Sequence, residues 1–282
     1  TSVTGVQTCA LPILQFDPEK GPKRPFSSRR LAAALRTGAK AFGWDDRPRA
    51  PRERQDGEWF IGYGVASAFR TNLVMPSGAT VRLNPGGTLT VETQMTDIGT
   101  GSYTVLAQVA AEMLGLDLGQ VKVKLGDSDF PQASGSGGSW GANSSSAGVY
   151  AACDELRRDL AQKAGYQSAN AVFRGGKVWQ GAECTELSEL AGKGGVEATA
   201  RMTYGDLTEQ FMQAGFGAHF VEVGVNAHTG EVRVRRALSV VAAGRILNPV
   251  TARSQCLGGM TMGSVRTASK ASLPQKCFRA KK

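Results

Sequence analysis

Three glycine-rich stretches hold the residues best placed to do chemistry. Thr96-Asp97-Ile98-Gly99-Thr100-Gly101-Ser102 ends an apolar strand pattern and opens a helical pattern over residues 103–114. Gly135-Ser136-Gly137-Gly138-Ser139-Trp140-Gly141-Ala142-Asn143-Ser144-Ser145-Ser146 runs into a second helical pattern, 147–164. Gly244-Arg245-Ile246-Leu247-Asn248-Pro249 follows a strand pattern, with Asn248 placed as N-cap and Pro249 at the first helical position. Backbone amides at a helix start attract anions. With side-chain groups from Thr100, Ser102, Ser139, Ser144, Thr251 and Gln255, three such junctions suit a large ligand bearing phosphates and many hydrogen-bonding edges. Turn chemistry accounts for the same residues, and spacing leaves both readings open. The G-x-G-x-x-G and G-x-x-x-x-G-K-[ST] signatures are missing, which argues against a nicotinamide or ATP site.

Other chemistries find little support. The two histidines are His219, in a strand pattern and expected to be a satisfied core residue, and His228, in a turn. A zinc hydrolase or a Ser-His-Asp triad needs more, and a hydrolase built on Ser139 has no histidine base in its sequence context. The five cysteines, at 9, 153, 184, 256 and 277, form no C-x-x-C pair, so no disulfide framework or iron–sulfur site is encoded. Cys153 reads as a buried structural thiol. No metal-ligand set of side chains is expected.

The formal net charge of +9 is concentrated near the ends. Residues 264–282 carry six basic and no acidic residues, and 20–54 carry eleven basic and three acidic. Residues 55–263 hold sixteen basic and nineteen acidic. That slightly acidic body, with no basic stripe, argues against a nucleic-acid partner.

The elements that must position the three loops alternate. A helix capped by Ser27 or Ser28, with Leu31, Leu35 and Phe42 on its apolar face and closed by Gly43, leads through an exposed basic connector (47–54) to strands at 59–69, 79–83 and 88–95. The first loop and its helix lead to a strand at 120–125, a β-β-α-β unit whose crossover should be right-handed. Beyond 165 come a hairpin at 171–179, a helical turn at 187–191 and strands at 196–204, 218–226 and 231–243, the last two joined by His228-Thr229-Gly230. The expected fold is α+β: mixed twisted sheets with packed helices, in two lobes, 15–165 and 166–263. Residues 1–14 read as a non-native leader resembling translated sequencing adapter, and 264–282 as a frame-shifted tail. The apolar run near the N-terminus is too short to span a membrane.

The words of the loops are specific. Thr96 to Thr104, followed by Gln108-Val109-Ala110-Ala111-Glu112, then Gly126-Asp127-Ser128-Asp129, the Gly/Ser loop and residues 244–259, resemble in order the molybdenum-binding large subunit of the xanthine dehydrogenase and aldehyde oxidoreductase family. The likeness spans nearly all of 15–263. In detail it is similar to the bacterial periplasmic-type aldehyde oxidoreductase large subunit.

The resemblance implies a cofactor, molybdopterin cytosine dinucleotide, contacted by Ile98, Gly99 and Thr100 near the molybdenum. Many xanthine-oxidising relatives have glutamine where this chain has Thr100. It implies a second contact loop at Gly138, Ser139, Gly141 and Ala142. A third, at Arg245, Ile246, Leu247, Asn248, Pro249, Val250, Thr251 and Gln255, would cradle the dinucleotide part. Arg70 matches a substrate-pocket position. The implied reaction is water-derived hydroxylation of an aldehyde or aromatic heterocycle, the metal being held by the cofactor and electrons leaving through a 2Fe-2S subunit and an FAD subunit.

The family's catalytic glutamate has no counterpart here, since the residues after Ser264 contain no glutamate. The chain on its own is therefore expected to be inactive and to hold cofactor weakly. The alternative is an inactive assembly fragment that binds partner subunits through its basic segment, 20–54. A bacterial compartment, periplasmic or cytoplasmic, is implied, with export depending on a partner subunit.

Overall fold

The computed structural model describes residues 24–271, with side-chain surroundings given through Ser264. In chain order the elements are α1 (Leu31–Phe42), β1 (Gln55–Asp56), β2 (Trp59–Thr71), β3 (Ser77–Leu83), β4 (Leu89–Thr93), α2 (Ser102–Leu114), β5 (Val121–Leu125) and α3 (Gly141–Lys163). There follow β6 (Val172–Arg174), β7 (Lys177–Gln180), β8 (Glu183–Glu186), α4 (Leu187–Ala191) and β9 (Val196–Met202). After a single helical turn at Leu207–Gln210 come β10 (Ala214–Asn226), β11 (Val232–Ala242) and α5 (Pro249–Ala271). The architecture is α+β, as expected. No helix among the described residues is long and apolar enough to cross a membrane.

Contacts divide the described residues into two units, one made of the residues up to 71 with those from 209 on, and one of residues 72–208. The expected division at 165 differs because pairing between distant strands overrides chain order. Strand β9 pairs along β3 from Ser77–Met202 to Leu83–Val196, which keeps the segment after 165 with the one before it. Strand β10 pairs along the whole of β2, which joins the end of the chain to its beginning.

In the unit of residues 72–208 the sheet order is β5-β4-β3-β9, with β4 and β5 parallel and the other pairs antiparallel. Helix α2 connects the parallel pair, since parallel neighbours need a crossover. Helix α3 packs on the same core through Val149, Ala152, Cys153, Leu156 and Leu160, the three-and-four spacing of one helix face. These meet Ala79, Val81, Leu83, Leu89 and Val91 from the sheet and Leu106, Ala110 and Leu114 from α2. The hairpin expected at 171–179 is a three-stranded meander, because β8 pairs with β7. Gly115 ends α2 in the left-handed region at φ 64°, and a Cβ there would lie 2.4 Å from the Arg174 backbone. Only glycine fits that approach.

The other unit has one antiparallel sheet, β1-β2-β10-β11. Helix α1 lies on one face, where Ala34, Phe42, Trp44, Ala218 and Phe220 are buried with Tyr63, Val65, Leu238 and Val240 around them. The helix starts after Arg30, with no side-chain cap, and not at Ser27 or Ser28. The backbone there is already committed: Phe26 bridges Met212, and the Ser27 N–H donates to the Met212 carbonyl at 3.1 Å. The connector expected to be exposed is partly pinned. Arg47 Nη1 donates to the Trp44 carbonyl at 2.9 Å, and Arg54 Nη1 to the Tyr63 hydroxyl at 3.0 Å. The leader at 1–14 lies outside the described residues, as does 272–282 of the expected tail; α5 runs through 264–271.

Candidate cofactor site

The first loop leaves β4 at Thr93 and enters α2 at Ser102. Gly99 and Gly101 have φ of 90° and 84°, a backbone path that glycine takes without steric cost. Asp97 folds this path onto itself. Its Oδ1 accepts the Gly99 N–H at 2.7 Å and the Thr100 N–H at 3.0 Å, and its Oδ2 accepts the Tyr103 N–H at 3.4 Å. Burial works against the charge of Asp97, but the N–H groups of Gly99, Tyr103, Thr100 and Ser102 outweigh it and hold the carboxyl below the ordinary aspartate value. Ile98, Gly99 and Thr100 are exposed at the tip, with Ile98 at 68%.

The expectation of bare amides at this helix start is thus corrected, because those of Gly99, Thr100 and Tyr103 are already taken. The signal was present in the sequence as an aspartate two residues ahead of a glycine. Asp and Asn hydrogen-bond the backbone just downstream of themselves in such turns.

The second loop is held by Trp140, whose Nε1 donates to the Ser134 carbonyl at 2.9 Å and whose ring lies on Gly137 and Gly138. A Cβ at Gly138 would fall 1.9 Å from that ring. Ser139 takes φ 62°, unusual for a residue with a Cβ. Helix α3 starts at Gly141, six residues before the expected position, so Gly141 to Ser146 form its first turn and a half. Consequently Ser144 and Ser145 face inward. Ser144 Oγ accepts the Met75 N–H at 3.1 Å and donates to Asn143 Oδ1 at 3.0 Å, which removes it from the expected ligand-binding hydroxyls. Ser102 is also buried, at the start of α2.

The two loops meet. The Ser136 hydroxyl donates to the Thr96 carbonyl. Gly141 is buried beside Met95: a Cβ there would lie 2.7 Å from Met95 Cε and 3.4 Å from the Gly135 carbonyl oxygen. Neither Ser136 nor Met95 stood out in the sequence, because their roles depend on contacts 40 and 46 positions away along the chain. Gly138, Ser139 and Ala142 are exposed beside this junction.

The third loop and Arg70 belong to the other unit. Asn248 caps α5 as expected, its Oδ1 accepting the Thr251 N–H at 2.9 Å. Arg245, Ile246, Leu247, Pro249, Val250 and Gln255 are exposed, and Thr251 is half-buried. Arg70 is exposed on β2 opposite Gly215, on the face with Ala66 and Ala68 and not the face of Val65 and Phe69 that turns toward α1. His219 has its Nδ1 hydrogen-bonded to Ser239 Oγ, but it is half-buried and not in the core, and burial holds its pKa below the ordinary value. It lines a groove of about 730 Å3 between β10, β11 and α5, with Val221, Val234, Cys256 and Met260, and none of the loop residues.

With this geometry in hand, the family model for the molybdopterin cofactor-binding domain matches residues 37–265. The chain belongs to that family. The molybdopterin-binding domain is 55% identical over 249 residues to the aldehyde oxidoreductase molybdenum-binding subunit PaoC of Escherichia coli (strain K12), covering 88% of this chain and 34% of that one. The chain thus spans about a third of the length of the curated relatives it matches. Among solved structures it resembles a Cu,Mo-CO dehydrogenase in its carbon monoxide reduced state (TM-score 0.72, 18% identity, 85% of this chain and 34% of that one). It also resembles quinoline 2-oxidoreductase from Pseudomonas putida 86 (TM-score 0.69, 21% identity, 87% of this chain and 34% of that one). At these identities the structural likeness speaks to the fold, which is that of molybdenum hydroxylase large subunits.

Proposed function

We propose that the chain is the cofactor-contacting part of a molybdenum hydroxylase large subunit, holding molybdopterin in its cytosine dinucleotide form. The observation that carries this is the junction of the first two loops through Ser136 with Thr96 and Gly141 with Met95, in a chain of this family. The residues present fit such a group. An added Cβ at Gly99 meets nothing within 4 Å, so the loop tip is open, and Ile98, Thr100, Gly138, Ser139 and Ala142 are exposed around the junction. Ile98, Gly99 and Thr100 would meet the metal end, Gly138, Ser139 and Ala142 another part of the cofactor, and Arg245 to Thr251 with Gln255 the dinucleotide, while Gly141, buried against Met95, would serve by seating the second loop.

When bound, the cofactor supplies a redox centre that takes two electrons from a carbon substrate while water provides the oxygen. The chain's own part is positional. Thr100 offers a hydroxyl where glutamine would offer an amide, a smaller group that suits an aldehyde as well as a heterocycle. The guanidinium of Arg70 would orient a substrate oxygen. Partners are a 2Fe-2S subunit and an FAD subunit, in the periplasm if a partner carries the export signal and otherwise in the cytoplasm.

The test is to purify the chain from a bacterium that makes the cofactor and to titrate the apo chain with released molybdopterin, following pterin fluorescence. Weak, saturable binding abolished by Gly99→Trp supports the assignment. Binding that Gly99→Trp leaves unchanged, or no binding at all, overturns it.

A further inference from the structure

We propose that Asp97 is the positioning residue of the first loop: its carboxylate takes the Gly99 and Thr100 amides just ahead of α2 and the Tyr103 amide in its first turn, and so fixes the backbone on which Ile98, Gly99 and Thr100 are presented. The inference rests on the reading of this loop as a cofactor contact. Two amides converge on Oδ1 and a third on Oδ2. Gly99 and Gly101, on either side of Thr100, have left-handed backbone angles, and the coil they form has no helix or sheet ladder of its own to hold it. Hydrogen bonds to a charged acceptor are the stronger kind, and here they supply what the ladder does not.

A second tether works from the other side. Ser136 donates to the carbonyl of Thr96, the residue before Asp97, so the aspartate is anchored to the second loop as it grips the first. The three helix starts are therefore not equivalent. Asp97 takes two amides of the loop ahead of α2 and the Tyr103 amide of its first turn, and Asn248 caps α5, each with an acceptor from the chain itself. Neither α2 nor α3 has a side-chain bond from its N-cap residue or an acidic residue in its first turn, but only α2 has an upstream carboxylate on a first-turn amide. The first loop then meets a ligand through the side chains of Ile98 and Thr100 and the bare Cα of Gly99, and does not serve as an oxyanion cradle. An aspartate filling the helix start also repels a second anion at that point.

The experiment measures backbone amide exchange at Gly99, Thr100 and Tyr103 in the full 282-residue chain and in Asp97→Ala and Asp97→Asn. In Asp97→Ala, exchange at Gly99 and Thr100 should rise by about ten-fold or more, the scale of losing a charge-assisted hydrogen bond. Asp97→Asn keeps an oxygen in place of Oδ1, so it should restore protection at those two amides while Tyr103 stays fast. Unfolding midpoints close to that of the parent chain exclude a general loss of fold as the cause. Unchanged exchange in Asp97→Ala overturns the proposal. A second arm titrates the same chains with molybdopterin. Weaker binding to Asp97→Ala, rescued in part by Asp97→Asn, supports the positioning role, and equal binding despite lost protection overturns it. If no chain binds molybdopterin, the cofactor reading of the preceding section fails, and the exchange data still decide whether Asp97 fixes the loop.

Discussion

Gly148 of α3 lies directly on the backbone of Ser77 in β3, so close that a Cβ on it would sit 2.6 Å from the Ser77 carbonyl oxygen. The contact sets how near α3 comes to the sheet, and through Gly141 at the start of the same helix it seats the second loop beside Met95. Backbone cannot retreat as a flexible side chain does. Gly148→Ala should therefore destabilise the chain by about 1–3 kcal/mol, the usual cost of overpacking, despite alanine's better helix propensity. Urea unfolding of the two chains checks this, and a gain in stability would mean that helix and strand separate easily.

Asn248 is the cap of α5, with Oδ1 on the Thr251 N–H. Asn248→Ala should cost about 0.5–2 kcal/mol and appear as fraying of that helix. Amide exchange at Thr251 would rise first, and Asn248→Asp should preserve most of the protection.

Cys153 is buried in the core of residues 72–208, and burial pushes its thiol up to about 12. Because the thiolate is the reactive form, Cys153 should resist iodoacetamide at pH 8 until the chain is unfolded. Cys184 is exposed and should react in the native state. Mass spectrometry of labelled peptides with and without denaturant separates the two, and rapid native labelling of Cys153 would contradict its burial.

Asp97 predicts a pH dependence. Its carboxyl is held below the ordinary value, so the folded chain keeps the charge where the unfolded chain has begun to protonate. The stabilisation is present above the unfolded aspartate value of about 3.9, and it is lost as pH falls through the lower folded value. Melting midpoints of the parent chain should drop on acidification below about pH 4 by more than those of Asp97→Asn. The difference will be small, since Asp97 is close to solvent. Parallel curves would deny the carboxylate this role.

Much of the element plan was legible in residue order. The hairpin expected at 218–226 and 231–243 is β10 and β11 with small shifts at the ends, because alternating apolar residues around His228-Thr229-Gly230 state a local rule locally. The early start of α3 was not legible. Gly-Ala-Asn-Ser-Ser-Ser scores as loop by propensity, and it is helical because small residues let the first turns press against Met95 and the segment around Ser77. The orientation of Ser144 toward Met75 follows from that packing and from nothing in its own neighbourhood.

Glycine placement, hydrophobic period and the wording of three loops were enough for the α+β class, most element boundaries and the molybdopterin-binding family, since each is written in residues a few positions apart. The tertiary structure alone decided that the chain divides at 71 and 208, that Ser136 ties one loop to the other, and which amides of the first loop remain for a ligand. Those outcomes depend on strand pairing and hydrogen bonds between residues far apart in the chain, or on which way one carboxylate turns. Local pattern does not encode either.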